Sequence, residues 1–299
     1  MLGRLKITVR EARLELIELF GCFRSPIVIS FGAGVDSMAV LVGLKNRGIR
    51  PDLIKFADTK GEKRSTYAYI PIADMWCREN GFPGITIVEA NSKYKSLYDE
   101  CWQKSMLPSI AYGGHSCSDK WKQAALVRYS NNWRPAQLAW ACGLKMIRVI
   151  GYDASARDCA RREKAVTYVA KKGDHKHQYW YPLQDWNWDR DECKRQILSE
   201  GLPLPPKSSC TFCTAMKEWE IRELRREEPD TYYANIALEQ RAVESGKLER
   251  NARGELKVKG LGRSYSWSAL EEKFLAEERR ETAGLVSLVS SDEFRLMPC

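Results

Sequence analysis

Pro26-Ile27-Val28-Ile29-Ser30-Phe31 runs directly into Gly32-Ala33-Gly34-Val35-Asp36-Ser37. That turn runs directly into Met38-Ala39-Val40-Leu41-Val42-Gly43-Leu44 and on to Gly48. The first six residues are apolar and β-branched with no polar alternation, the pattern of a strand buried on both faces. The third block is a continuous apolar helix closed by Gly48. A buried strand, a small-residue turn and a helix in that order define the start of a parallel α/β unit.

The pattern repeats on both sides of this segment. Residues 5–20 place apolar and charged positions at helical spacing and read as an amphipathic helix. A second strand is predicted at 52–58, a helix at 64–80 ending near Gly81, a third strand at 84–90 and a fourth at 145–152. Strands alternating with helices give an open, mostly parallel sheet with helices on both faces, and ligands at the carboxyl ends of its strands. From about residue 189 the pattern turns helical: 189–201, 214–228, 231–247 and 267–281. The organisation read from this is an N-terminal helix (1–25), an α/β domain (26–200) and a mostly helical C-terminal region (201–299). The tail 285–299 is compatible with an edge strand or with loose packing.

Lys and Arg outnumber Asp and Glu by 48 to 39, a net charge of +9. That excess suits an anionic partner such as a nucleotide, a sulfate ester or nucleic acid. A 44% hydrophobic and 29% charged composition excludes wholesale disorder. No apolar run approaches a membrane span, and the N-terminus has charges throughout and no apolar signal core. The expectation is a cytoplasmic protein with no membrane partner. Its ten cysteines are then reduced thiols, not a disulfide framework.

The turn Ser30–Ser37 carries the chemistry. Small residues let backbone N–H groups approach phosphate oxygens, and the following helix contributes the positive end of its dipole. The candidate nucleotide-binding residues here are Ser30, Phe31, Gly32, Ala33, Gly34, Val35 and Ser37. Asp36 opens the helix and is suited to capping it or to holding Mg²⁺. No Gly-Lys-Ser/Thr closes the segment, so it is not a Walker loop. An ordinary tight strand-to-helix turn would use the same glycines.

The segment resembles the PP-loop of the ATP pyrophosphatases, Ser-x-Ser-Gly-Gly-x-Asp-Ser, at Ser30, Gly34, Asp36 and Ser37. Gly32, Ala33 and Val35 depart from it, Val35 replacing the Lys common in phosphoadenylyl-sulfate (PAPS) reductases. Three further segments follow the order of that branch. Phe56–Gly61 with Ser65-Thr66-Tyr67 resembles its Asp-Thr-Gly…Glu-Thr-Tyr element, which implies that Asp58 and Thr59 meet the adenosine. Gly151-Tyr152-Asp153-Ala154…Asp158…Arg161-Arg162 resembles its Gly-x-Arg…Glu-Ser…Arg motif. That places Gly151 against the nucleotide and makes Arg161 and Arg162 candidate clamps on phosphate or sulfate; a solvated helix face is the other reading of these arginines. Tyr181-Pro182-Leu183…Asp185-Trp186…Asp189 resembles its Pro-Leu-x-x-Trp segment. The resemblance covers roughly residues 26–220 and implies an adenine nucleotide alpha hydrolase-like fold.

Cys210-Thr211-Phe212-Cys213 places two sulfurs at a spacing that grips one metal. Cys117 is the best third ligand. Adenylyl-sulfate reductases of similar sequence carry Cys-Cys and then Cys-x-x-Cys around a four-iron four-sulfur cluster. Here the set is one ligand short, with His115, Cys159, Cys193 and Cys299 as candidates for the fourth. Some sulfur-inserting PP-loop enzymes hold a cluster by three cysteines. Zinc and no metal are the alternatives. His175 and His177, in a stretch read as a polar surface loop, are weaker metal candidates. Trp180, Trp186, Trp188 and Trp219 are read as core packing before base stacking.

The resemblance implies an enzyme that splits ATP to AMP and pyrophosphate, with Mg²⁺ and with Asp36, Ser37, Arg161 and Arg162 in catalytic roles. The activated acceptor then receives sulfur, with nucleic acid as substrate and a cysteine desulfurase-type sulfur donor as partner. The first alternative is a thiol-dependent reductase of PAPS or adenylyl sulfate, but the Glu-Cys-Gly-Ile-His segment of true PAPS reductases is missing. The second is a non-catalytic nucleotide-binding regulatory module.

Overall fold

The computed structural model describes residues 7–114, 116–249, 253–254 and 256–293, with side chains as far as 283. The chain divides into two compact units. One comprises Met1–Lys93 and Ser118–Cys210, the other Tyr94–Cys117 and Thr211–Cys299.

The first unit is built on five strands: β1 (Ile27–Ser30), β2 (Leu53–Asp58), β3 (Ile85–Glu89), β4 (Met146–Val149) and β5 (His177–Trp180). Their order is β3-β2-β1-β4-β5 and every pairing is parallel. The chain winds outward from β1 through β2 to β3, then returns to the other side of β1 for β4 and β5. The topological switch point therefore lies between β1 and β4. Alternate residues of β1 serve opposite faces of the sheet. Ile29 joins the large core with Met38, Leu41 and Ile54, while Val28 packs with Leu53, Ala136 and Met146. Full burial of such a side chain stabilises the fold by about 1.5–3 kcal/mol.

The helix Val35–Lys45 is buried from Met38 through Leu44. Gly43 is where Trp186 crosses it: a Cβ there would lie 2.1 Å from the indole. Trp186 packs on Trp188 at 5.2 Å and on Trp180 at 6.1 Å, and the Arg47 guanidinium lies 4.0 Å above its ring. These three tryptophans are core material, as read from the sequence. Trp219, in the second unit, is 57% exposed, so packing does not account for it.

The fifth strand corrects the reading of residues 173–180 as a polar surface loop. β5 pairs with β4 along Met146–Val149 as an edge strand, for which half-polar residues suffice. His177 has its Nδ1 2.9 Å from the Asp174 carboxylate, which also accepts from Tyr179 Oη at 2.8 Å. That network organises His177. The tail likewise forms no edge strand as far as residue 293, where the helix Trp267–Glu293 ends.

The second unit is mainly helical, with Leu97–Lys104, Glu218–Glu227, Pro229–Glu244 and Trp267–Glu293 as its main helices. Buried Glu239 ties it together. Its carboxylate accepts from the N–H groups of Leu261 (2.7 Å), Trp267 (2.8 Å) and Ser268 (3.0 Å) and from the Ser268 hydroxyl (3.0 Å). Among the described residues no helix is long and apolar enough to cross a membrane.

Lys55 stands in β2 with its side chain enclosed. The amine donates to Leu126 O at 3.0 Å and to the Ser130 hydroxyl. Burial, with the nearby Arg148 charge, pushes it down to about 7 from an ordinary 10.5. Between those values the unfolded chain binds a proton that the folded chain does not, so stability must rise with pH across that window. Denaturant melts of the wild type between pH 7 and 10 should show this rise, and Lys55→Met should remove it.

Candidate functional site

The turn after β1 reaches the switch point. Phe31 N–H continues the sheet by donating to Lys55 O at 2.8 Å, and the helix begins at Val35. Phe31, Ala33 and Val35 send buried side chains inward, so only their backbone is available to a ligand. A cation in place of Val35 would have to enter the core. The Ser37 hydroxyl turns back onto Gly34, accepting from its N–H at 3.2 Å and donating to its carbonyl at 2.9 Å. The N–H groups of Val35, Asp36 and Ser37 open the helix without intrahelical acceptors.

Ala33 takes φ 53, the left-handed region, where a non-glycine residue costs about 1–2 kcal/mol. This explains why a glycine is usual at that position of the PP-loop. Gly32 and Gly34 show the opposite case. Neither needs a positive φ, and a Cβ on either would find its nearest neighbour at 3.9 Å, Ser37 Oγ and Ser208 Cβ respectively. The fold does not require these glycines, and their bare backbone leaves room for the close approach of a ligand.

The turn after β4 meets this loop. A Cβ on Gly151 would lie 3.2 Å from the carbonyl carbon and oxygen of Asp36, so only glycine lets the two turns touch without displacement. Beyond it, Asp153 accepts from Ser155 N at 3.0 Å, and the Ser155 hydroxyl caps the helix Ala156–Lys172 at Asp158. As a result, carboxylate oxygens of Asp36, Asp153 and Asp158 lie within 4.8 Å of one another, Asp153 and Asp158 both buried. Arg161 donates to Asp158 at 2.9 Å and covers the Tyr152 ring at 4.1 Å; Arg190 donates to Asp36 at 2.5 Å. Burial pushes the Asp36 carboxyl above its usual range; Arg190 opposes this, and the Asp153 and Asp158 charges add to it. The cluster therefore favours a cation.

Sequence motifs 115 residues apart are thus brought together in Asp36, Gly151, Asp153, Asp158 and Arg161. Arg162 points elsewhere, to Asp185 at 3.2 Å and Gln184 at 3.4 Å. Arg190 was not anticipated: it enters because the helix Arg190–Ser199 packs on Val35–Lys45, and no local motif marks it. Asp58, at the carboxyl end of β2, accepts from Lys60 N at 2.7 Å and Tyr67 Oη at 2.6 Å. Thr59 is fully buried with its hydroxyl between Glu62 (3.3 Å) and Cys210 Sγ (3.3 Å). Cys193 is fully buried behind the cluster, and burial pushes its thiol up to about 12, an environment that opposes the thiolate needed for metal binding. Cys159 is half-buried on the helix Ala156–Lys172, and Cys117 and Cys213 belong to the second unit. His115 and Cys299 lie outside the described residues.

No family model matches the chain, and no curated protein matches it in sequence. Similar solved structures include the two that follow. One is the PAPS reductase of Candida auris in a phosphate complex, with TM-score 0.39 and 13% identity over 68% of this chain and 84% of that one. The other is the U34-tRNA thiolase NcsA of Methanococcus maripaludis with its four-iron four-sulfur cluster, with TM-score 0.42 and 14% identity over 85% of this chain and 86% of that one. Likenesses this distant carry no argument about function, which rests on the residues above.

The glycine observation gives a direct test. In the double variant Gly32→Ala/Gly34→Ala the added methyls have room, and stability should fall by at most about 1 kcal/mol through the weaker helix cap. Nucleotide affinity, read by titration calorimetry, should drop more than tenfold. Unchanged affinity would show that no phosphate touches this backbone.

Proposed function

We propose that the first unit binds ATP at the β1/β4 switch point, splits it between the α- and β-phosphates, and so activates an acceptor for sulfur transfer to nucleic acid. The observation that carries this reading is the meeting of the Gly32–Ser37 turn with the Gly151–Asp158 turn around three carboxylates. The phosphates would rest on the N–H groups of Gly32–Ser37 and the helix dipole. Asp58, held by Lys60 N and Tyr67, would orient the adenosine.

Mg²⁺ fits the carboxylate cluster. Oxygen ligands about 2.1 Å from an octahedral ion lie roughly 3–4 Å apart, and the three carboxylates, within 4.8 Å of one another, need only a small inward shift to reach that spacing. Asp36, Asp153 and Asp158 would hold the ion, which supplies charge neutralisation for the polyphosphate. Arg161 and Arg190, now paired with two of these carboxylates, would then be released toward phosphate oxygens. An acceptor oxygen attacks the α-phosphorus, the bond to the bridging oxygen breaks, and pyrophosphate leaves with that electron pair. The role of Arg162 is secondary, given its pairing with Asp185. Cys117, Cys210 and Cys213 are proposed, on sequence grounds, as ligands of an iron–sulfur cluster, which would supply the sulfur chemistry. A net charge of +9 supports an anionic acceptor.

The protein, purified without oxygen and incubated with ATP and Mg²⁺, should release pyrophosphate and AMP, with nucleic acid stimulating the release. Asp153→Asn should lower the rate by at least 100-fold. Absence of pyrophosphate with and without nucleic acid would contradict the proposal. Sulfite release from PAPS with a thiol donor would instead establish a reductase.

A further inference from the structure

The turn that follows β2 places an unsatisfied carboxylate beside Cys210. Lys60 takes φ 54, and the chain then bends so that Glu62 forms an isolated antiparallel bridge with Cys210. The neighbouring bond, Lys63 N to Ser209 O at 3.2 Å, pins the same two backbones. The main chain therefore sets the two residues side by side.

The Glu62 side chain is wholly buried. Its Oε1 accepts from Lys122 Nζ at 2.6 Å, lies 3.3 Å from Thr59 Oγ1 and lies 3.6 Å from Cys210 Sγ. Its Oε2 is buried and has no hydrogen-bond partner. Buried carboxylate oxygens are rarely left so, and one without a donor points to a partner of another kind. A thiol is only a weak donor, so its hydrogen bond accounts poorly for a buried carboxylate at this distance. A thiolate sulfur about 2.3 Å and a carboxylate oxygen about 2.0 Å from one tetrahedral ion stand roughly 3.5 Å apart. Cys210 Sγ stands at about that separation, 3.6 Å, from the Oε1 edge of the Glu62 carboxylate. Lys122 lies in the π-helical turn Asp119–Gln123 and fixes one oxygen by its charge, leaving the other available.

We propose that Glu62 is a metal ligand alongside Cys210, through its carboxylate. Within the first unit this carboxylate supplies an oxygen donor beside the Cys210 sulfur. A thiolate and a carboxylate together suit a thiophilic transition metal, either an iron of a cluster or zinc. Thr59, bridging Glu62 and Cys210, is a positioning residue for both. The inference rests on the reading of Cys210 as a metal ligand.

The test uses the full chain purified without oxygen. Iron and zinc per chain are measured in the wild type, Cys210→Ser, Glu62→Gln and Glu62→Cys. Each chelated protein is then titrated with Co²⁺ and read by its visible spectrum. Glu62→Gln should weaken Co²⁺ binding at least tenfold and alter its ligand-field bands. Glu62→Cys should retain metal and gain thiolate-to-cobalt charge-transfer intensity. Iron or zinc in the purified wild type distinguishes a cluster from a mononuclear site. If Cys210→Ser loses the metal while Glu62→Gln keeps wild-type affinity and spectrum, Glu62 is not a ligand although Cys210 is. If both variants keep the metal, or the wild type binds none, the reading of Cys210 fails and this inference with it. Thermal melts in chelator identify a folding defect in Glu62→Gln. In that event Glu62→Cys decides, and no added charge-transfer intensity would overturn the proposal.

Discussion

The approach of Gly151 to the Asp36 backbone is the constraint on which the site depends. Parallel pairing of β1 with both β2 and β4 delivers two turns to the same end of the sheet, but it does not by itself let them touch. A Cβ at 151 would come within 3.2 Å of the Asp36 carbonyl, tighter than all but a few packed contacts. Without it, the start of the helix Val35–Lys45 and the start of the helix Ala156–Lys172 converge, and three carboxylates from the two turns meet. Backbone geometry has placed like charges together, and burial disfavours the charge on Asp36. Arg161 and Arg190 offset that unfavourable charge. A polyphosphate with its cation would satisfy the same groups with charges of its own.

Much of this was legible in the sequence, for physical reasons. Strands buried on both faces must be nearly all apolar, so β1 and its helix could be read from residues 26–48 alone. Gly48 and Gly81, with φ of +65 and +72, close their helices where the sequence placed the ends. β5 was not legible, because an edge strand need not be apolar and His177-Gln178-Tyr179-Trp180 shows little pattern. Lys55 escaped notice for the opposite reason. One charged residue in an apolar strand does not disturb the pattern, and its enclosure by Leu126 and Ser130 is a tertiary fact.

The candidate site divides along the same line. Asp36 and Gly151 carry local signals, a turn and a glycine after a strand. Arg190 carries none, since it reaches Asp36 only through helix packing across 154 residues of chain. Thr59 and Glu62 show a further limit. The motif resemblance aimed Thr59 at the nucleotide, but its hydroxyl lies against Cys210 and Glu62. The backbone bridge from Glu62 to Cys210 redirects it, and a contact 148 residues apart leaves no trace in local sequence.

In the proposed function, phosphates rest on the backbone of the β1/β4 switch point. Amide hydrogen exchange, followed by mass spectrometry with and without saturating ATP and Mg²⁺, tests it most directly. ATP is expected to slow exchange in residues 31–38 and 150–158, since those N–H groups acquire acceptors or lose access to water. Protection confined to other segments, or none at a concentration shown by calorimetry to saturate binding, would contradict it.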